Sequence, residues 1–137
     1  MKRLEKKFKL HGKSEELAAV RSDLKELLLD WGLADKWIED FILAVQETLT
    51  NVIRHAYENK GGTIEVILRN DSDRVEVVVE DQGKSFDSSK VKEPELPPRK
   101  PGGMGLYLIK RLMDEVQYKS SGNKNEWRLV KYKSSKG

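Results

Sequence analysis

The chain has 137 residues, enough for one domain with a sizeable core, and its 26 basic and 23 acidic residues interleave to a net charge of +3. It has no cysteine, hence no disulfide framework and no thiolate metal site. No basic block or aromatic-basic alternation points to direct nucleic-acid binding. The opening MKRLEKKFKL lacks a continuous apolar core and no apolar run is long enough to cross a bilayer, so a soluble, cytoplasmic protein without membrane contact is expected. The charged fraction of 36% is compatible with a heat-adapted source.

Leu4, Phe8 and Leu10 recur at even spacing between lysines, which predicts a short strand over 4–10. Ser14 is placed to cap the next helix, in which Leu17, Val20, Leu24, Leu27, Leu28 and Trp31 follow helical spacing and Gly32 ends the run. Asp35 opens a second helix that is expected to run to about Glu58. Within it, Phe41, Val45, Thr48, Leu49, Val52 and Ala56 form the packing arc, while Glu47, Asn51 and His55 recur every four residues in one polar stripe. A carboxylate and a carboxamide one turn apart can work together: Glu47 can accept a proton, and the Asn51 oxygen can ligate a hard cation. The plain alternative is an amphipathic helix with solvated polar residues.

The run 59–62 is a turn, and the β-branched runs 63–69 and 74–80 read as strands joined as a hairpin through 70–73. The second strand leads straight into Asp81-Gln82-Gly83, a carboxylate at a strand end followed by glycine, which is equally the pattern of an ordinary turn. All four prolines fall within 94–101, a stiff or mobile loop that delivers Arg99 and Lys100 to the next motif. Gly102-Gly103-Met104-Gly105 then opens a helix over 106–113; a glycine cluster there lets backbone N–H groups meet an anion. It is not a Walker loop, because no Gly-Lys-Ser/Thr follows. Strands over 116–120 and 127–133 close the chain, with Gly122-Asn123 in the turn between them.

Glu-x₃-Asn-x₃-His on a helix, Asp-x-Gly after a strand and a glycine cluster opening a helix, in that order, resemble the N, G1 and G2 boxes of the GHKL ATPases. That superfamily includes DNA gyrase, histidine kinases and heat-shock chaperones. Within it the chain is most similar to the bacterial anti-sigma-factor serine kinases, on ETLTNVIRHAYE, DQGKSFD and GGMGLYLIKRLMDEV. The resemblance covers nearly the whole chain. It implies a single α/β (α+β) domain over 1–137, a two-layer sandwich with helices on one face of a mixed sheet, and an ATP lid at about 88–101.

The resemblance further implies ATP and Mg²⁺ as cofactors. Asn51 would ligate the metal, Glu47 would be the catalytic base, Asp81 would accept a hydrogen bond from the adenine amino group, and Gly83 would let the base lie close. Gly103 and Gly105 would present N–H groups to the phosphates, with Gly102, Met104, Leu106, Phe86 and His55 also in the nucleotide-contacting set and Arg99 or Lys100 facing the γ-phosphate. His55 reads equally as a hydrogen-bonding residue of the helix face. Two departures stand out. Ser85 replaces a glycine common in the second box. The usual Gly-Thr before the last strand is here Asn123-Lys124-Asn125-Glu126, which leaves one phosphate- or base-side hydrogen bond unaccounted for.

The function implied is a homodimeric, ATP-dependent serine kinase that phosphorylates an anti-anti-sigma protein and sequesters an RNA polymerase sigma factor. A nucleotide-gated binding module without phosphoryl transfer is the alternative, and the presence of Glu47 favours the kinase. A histidine-kinase catalytic domain fits less well, since His11 lies in a basic loop and there is no room for dimerising helices.

Overall fold

A computed structural model describes residues 4–85 and 103–134. In chain order it comprises β1 (Leu4–Leu10), a 3₁₀ turn (Ser14–Glu16), α1 (Leu17–Asp30) and α2 (Asp35–Asn51), which continues as a π-helical turn (Val52–Ala56). Then come β2 (Ile64–Asn70), β3 (Arg74–Asp81), α3 (Gly103–Leu112), β4 (Glu115–Ser121) and β5 (Lys124–Tyr132).

The alternation of strand side chains decides where the helices go. Val66, Leu68, Val75, Val77, Val79, Trp127 and Leu129 share one face and are at most 4% exposed. Against them pack Val20, Leu24 and Leu28 of α1, Phe41, Val45 and Leu49 of α2, and Ile109 of α3, in a single core. Burying this apolar surface is the main term holding the layers together. Directed bonds then fix the layers: Trp37 Nε1 donates to the Tyr132 carbonyl (2.8 Å), Lys131 Nζ to the Leu112 carbonyl (2.9 Å) and Gln46 Nε2 to the Leu17 carbonyl (3.2 Å). α2 lies between α1 and α3 and touches both.

The sheet order is β1-β2-β3-β5-β4. The two-layer arrangement is as expected, but all four pairings are antiparallel, whereas a mixed sheet was expected. The mixed sheet was implied by the family resemblance, whereas strand direction here follows from the connections, which leave every neighbouring pair antiparallel. On the outer face Ile67, Val78 and Val130 lie under a lattice of ion pairs. Arg69 and Arg128 both reach Glu76 (3.2 and 3.1 Å), and Arg74 and Arg128 both reach Glu115 (3.3 and 3.4 Å).

Two local expectations change. Ser14 does not cap the first helix: it begins the 3₁₀ turn, and Glu16 Oε1 instead accepts the backbone N–H groups of His11 and Lys13 (2.9 and 3.0 Å). With Ser14 inside the turn, the Glu16 carboxylate, three residues after Lys13, is the side chain that reaches back to the N–H groups preceding it. The second helix is regular only to Asn51, after which Tyr57 N–H bonds to the Val52 carbonyl (3.0 Å) in π register. Gly32, at φ +85°, ends the α1 run as expected.

Phe41, fully buried and stacked on Trp37 with ring centroids 5.0 Å apart, is the largest fully buried side chain of α2. Phe41→Ala is expected to cost about 3–5 kcal/mol. Urea unfolding should give that loss with an unchanged m value.

Candidate functional site

Among the described residues, two groups of polar side chains lie beside α2 and its π-helical continuation. The first is on α2 itself. Glu47 and Asn51 are half-buried, one turn apart, beside the buried Ala44, Thr48 and Leu49. Their polar neighbours are satisfied within the helix: Thr48 and Thr50 hydroxyls donate to the carbonyls four residues back (2.9 and 2.8 Å). Among the described residues, neither the Glu47 carboxylate nor the Asn51 amide has a hydrogen-bond or ion-pair partner.

What faces this pair is the first turn of α3. A Cβ built on Gly105 would lie 2.9 Å from Glu47 Oε2 and 4.0 Å from both Oδ1 and Nδ2 of Asn51. Glycine lets the start of α3 come this close with Glu47 where it stands; a Cβ would displace the movable carboxylate end. α3 is fixed there by Leu106, Ile109 and Met113, each at most 7% exposed.

The second group is at the end of β3. Asp81 is 3% exposed, and its Oδ1 accepts the Gly83 N–H (2.9 Å) and Asn125 Nδ2 (2.8 Å). Asn125 Nδ2 also donates to the Gly83 carbonyl (2.9 Å), and Asn125 Oδ1 accepts from Ser120 Oγ (2.7 Å). The loop after Asp81 is bound to the helix: Lys84 N–H donates to the Ala56 carbonyl (2.8 Å), and Gln82 N–H donates to the Tyr57 hydroxyl (2.8 Å). The Tyr57 hydroxyl in turn donates to the Thr63 carbonyl (2.5 Å). At Gly83 a Cβ would run into the Ala56 carbonyl, so this close approach also requires glycine.

Burial pushes the Asp81 carboxyl above the usual carboxylate range, against the opposing donation from Asn125 and Gly83. Burial likewise raises the Tyr57 phenol; the Gln82 N–H opposes this and the nearby Asp81 charge adds to it.

The residues singled out from the sequence therefore fall into two groups. Glu47, Asn51 and Gly105 meet at α3, and Asp81 and Gly83 meet at the end of β3. Leu106 is turned into the core, so only its main chain is open to a ligand. His55 is exposed on the π-helical turn, with no bond to either group among the described residues. Gly103 opens α3, but the Met104 side chain, Phe86, Arg99, Lys100, Gly102 and the loop 88–101 lie outside the described residues. Asn125, Ser120, Tyr57 and the Ala56 carbonyl were not picked out from the sequence. The Ser120–Asn125 contact is legible from the two-residue turn between them; the Asp81–Asn125 contact, 44 residues apart, is not.

Residues 10–131 match the model of the histidine kinase-like ATPase domain. Serine-protein kinase RsbW of Bacillus cereus is 36% identical over 126 residues, covering 85% of this chain and 79% of that protein. Serine-protein kinase RsbW of Oceanobacillus iheyensis is 36% identical over 119 residues, covering 80% and 75%. Among solved structures, the RsbU and RsbW domains of a Mycobacterium tuberculosis protein superpose with a TM-score of 0.69 at 20% identity, covering 96% of this chain and 32% of theirs. The histidine kinase domain of a blue-light activated histidine kinase from Erythrobacter litoralis gives 0.56 at 19% identity, covering 87% and 60%. At these identities the structures speak for the fold alone. No helix among the described residues is long and apolar enough to cross a membrane.

Because the Asp81 carboxyl is held above its ordinary range, it binds a proton more readily folded than unfolded. Its contribution to stability is thus fully present below the unfolded pKa and is lost as pH rises through the folded one. Asp81→Asn keeps an acceptor for Gly83 and Asn125 without the charge. Thermal melts from about pH 3 to 8 should show the variant level with the parent in acid and equal or more stable near neutrality, the gap opening above about pH 4. A parent clearly more stable than the variant at pH 7 would contradict the assignment.

Proposed function

The chain belongs to the histidine kinase-like ATPase domain family, and from that premise we propose an ATP-dependent protein serine kinase that also holds a sigma factor of RNA polymerase. The observation that carries this reading is the meeting of Glu47, Asn51 and the start of α3 at Gly105. A pure binding module needs an anion-accepting backbone and an acceptor for the base. It does not need a carboxylate free of any partner among the described residues, set against that backbone.

ATP is divided between the two groups of residues. Asp81 accepts from the adenine amino group, while Gly83 keeps the floor beneath the base flat. The N–H groups at the start of α3, from Gly103 to Leu106, face the phosphates, where the positive end of the helix and its unpaired donors favour anionic oxygen. Gly102, Met104, Phe86 and whichever of Arg99 and Lys100 faces the γ-phosphate belong to the same proposal, as does His55.

A metal fits this site in one way. No group of three or more His, Cys, Asp or Glu suited to a metal occurs among the described residues. Asn51 offers one hard oxygen, which suits Mg²⁺, an ion that keeps several waters and binds through phosphates. When bound, it would neutralise phosphate charge.

Transfer then needs a proton acceptor. As the serine oxygen bonds to the γ-phosphorus and the bond to the β-bridging oxygen breaks, the hydroxyl proton passes to the Glu47 carboxylate and ADP leaves. The protein substrate is a small antagonist of the anti-sigma activity, whose phosphorylation leaves this protein free to hold sigma. The proposal includes a homodimer and a cytoplasmic location.

Two variants test it. Glu47→Gln keeps size and most hydrogen bonding but removes the base, and single-turnover transfer should fall by ~10²–10⁴ with ATP affinity nearly unchanged. Transfer at the parent rate would show that Glu47 is not the base. Gly105→Ala puts a methyl group against Glu47 Oε2, the movable end of a side chain, while improving helix propensity by up to about 1 kcal/mol. The variant should melt no lower than the parent yet transfer phosphate at least about tenfold more slowly, because the start of α3 and Glu47 can no longer share that space. Parent protein that binds ATP and sigma but transfers to no antagonist would favour the nucleotide-gated module.

A further inference from the structure

Asp81, Asn125 and Ser120 stand in one row across three strands: Asp81 is opposite Asn125 in the β3–β5 pairing, and Asn125 is opposite Ser120 in the β4–β5 pairing. At 2% exposure the Asn125 amide is sealed in, and its hydrogen-bonding capacity is almost entirely spent. Both N–H bonds have acceptors, Asp81 Oδ1 at 2.8 Å and the Gly83 carbonyl at 2.9 Å, while its oxygen takes the Ser120 hydroxyl at 2.7 Å. Two acceptors on one side fix which end of the amide is nitrogen, so it cannot turn over without placing oxygen against oxygen.

The consequence falls on Asp81. Its Oδ1 is filled by Asn125 and the Gly83 N–H, so the other oxygen is the one left to meet a ligand. Asn125 has no donor to spare for that ligand.

We propose that Asn125 is a positioning residue that makes the base-reading point of this site acceptor-only, so that it takes a base presenting an exocyclic amino group and rejects the same base with a 6-oxo group. This rests on the nucleotide reading given above. In the same pose a 6-oxo group would bring lone pair against lone pair, and an unpaired buried polar atom is the costliest mismatch available.

The polarity of the point depends on ionisation. A protonated Asp81 would be a donor and would accept a 6-oxo base. Burial favours that neutral form, and the Asn125 donation opposes it. The other titratable group coupled to Asp81 among the described residues is the Tyr57 phenol, which is itself held above its ordinary range and stays neutral below it. Removing the amide should therefore weaken discrimination and also move its loss to higher pH.

The test compares ATP with inosine triphosphate, each with Mg²⁺, by calorimetric titration across pH for the parent, Asn125→Ala and Ser120→Ala. The parent should prefer ATP by about tenfold or more near neutrality, and lose that preference in acid. Asn125→Ala should lower the ratio at least about fivefold and shift the midpoint of its pH dependence upward. Ser120→Ala, a change at an exposed residue, keeps a measurable folded variant in hand and should move both quantities the same way by a smaller amount, about two- to threefold in the ratio. A lower melting temperature with the parental ratio and midpoint in the folded variants would make Asn125 merely structural and overturn the proposal. A parent that binds both triphosphates equally overturns it alone. A parent that binds neither overturns the nucleotide reading as well.

Discussion

At residue 105 the backbone of α3 directly faces the polar side chains of α2, and a Cβ there would stand 2.9 Å from Glu47 Oε2. The meeting of Glu47, Asn51 and the start of α3 follows from that contact. Glycine in a helix costs up to about 1 kcal/mol relative to alanine, and a lone Glu and Asn beside it add no packing. The cost is offset further along, where Leu106 and Ile109 of α3 and Met113 just after it sink into the core and the Leu112 carbonyl takes Lys131 Nζ. α3 is thus held by its apolar side and aimed by its glycine.

The group at the end of β3 uses a different property of the same helix. A helix terminus leaves carbonyls without partners, and the π-helical turn 52–56 redistributes them. The Val52 carbonyl takes Tyr57 N–H, the Ile53 carbonyl takes Asn59 N–H, and the Ala56 carbonyl accepts from Lys84, in the loop after Asp81. Such turns often occur at functional sites. Here the reason is concrete: the freed carbonyl docks the loop, while Tyr57, the next residue, holds Gln82 and Thr63 with one hydroxyl. One helical element therefore sets both ends of the candidate site, its α part at Glu47 and Asn51 and its π part at the loop after Asp81.

Much of this was legible from spacing. The packing arc of α2, the Gly32 stop and the β-branched strands all report which side chains face the core, and periodicity records just that. The Glu47–Asn51 stripe was legible for the same reason, since residues four apart share a helix face. Partner choice was not. Ser14 looked like a cap because hydroxyls often are, but the sequence does not reveal that Glu16 can reach back to His11 and Lys13. The antiparallel sheet and the Asp81–Asn125 bond both depend on β5 lying between β3 and β4, a placement set by the whole chain. The missing Gly-Thr put one phosphate- or base-side hydrogen bond in doubt, and the sequence did not reveal that the Asn125 amide in its place bonds to Asp81 and the Gly83 carbonyl instead.

The two faces of the sheet treat carboxylates in opposite ways. On the outer face Glu76 is only 7% exposed but is matched by two guanidinium groups. Glu115 is held below the usual range by the Tyr132 hydroxyl first, then by Arg128 and Arg74. With 26 basic residues the chain does not lack cations. Yet among the described residues none is paired with Glu47 or Asp81 on the helix side. A buried carboxylate without a cation is costly, so its persistence there requires a return. Neutral donors from Asn125 and Gly83 limit the cost at Asp81 while leaving one oxygen unspent, and partial exposure limits it at Glu47. A cation at either place would neutralise the acceptor that the proposed chemistry uses: at Asp81 the oxygen that reads an amino group, at Glu47 the oxygen that takes a proton. The carboxyl group is therefore neutralised where it only holds strands together and left short of partners where the proposed function gives it a ligand to meet.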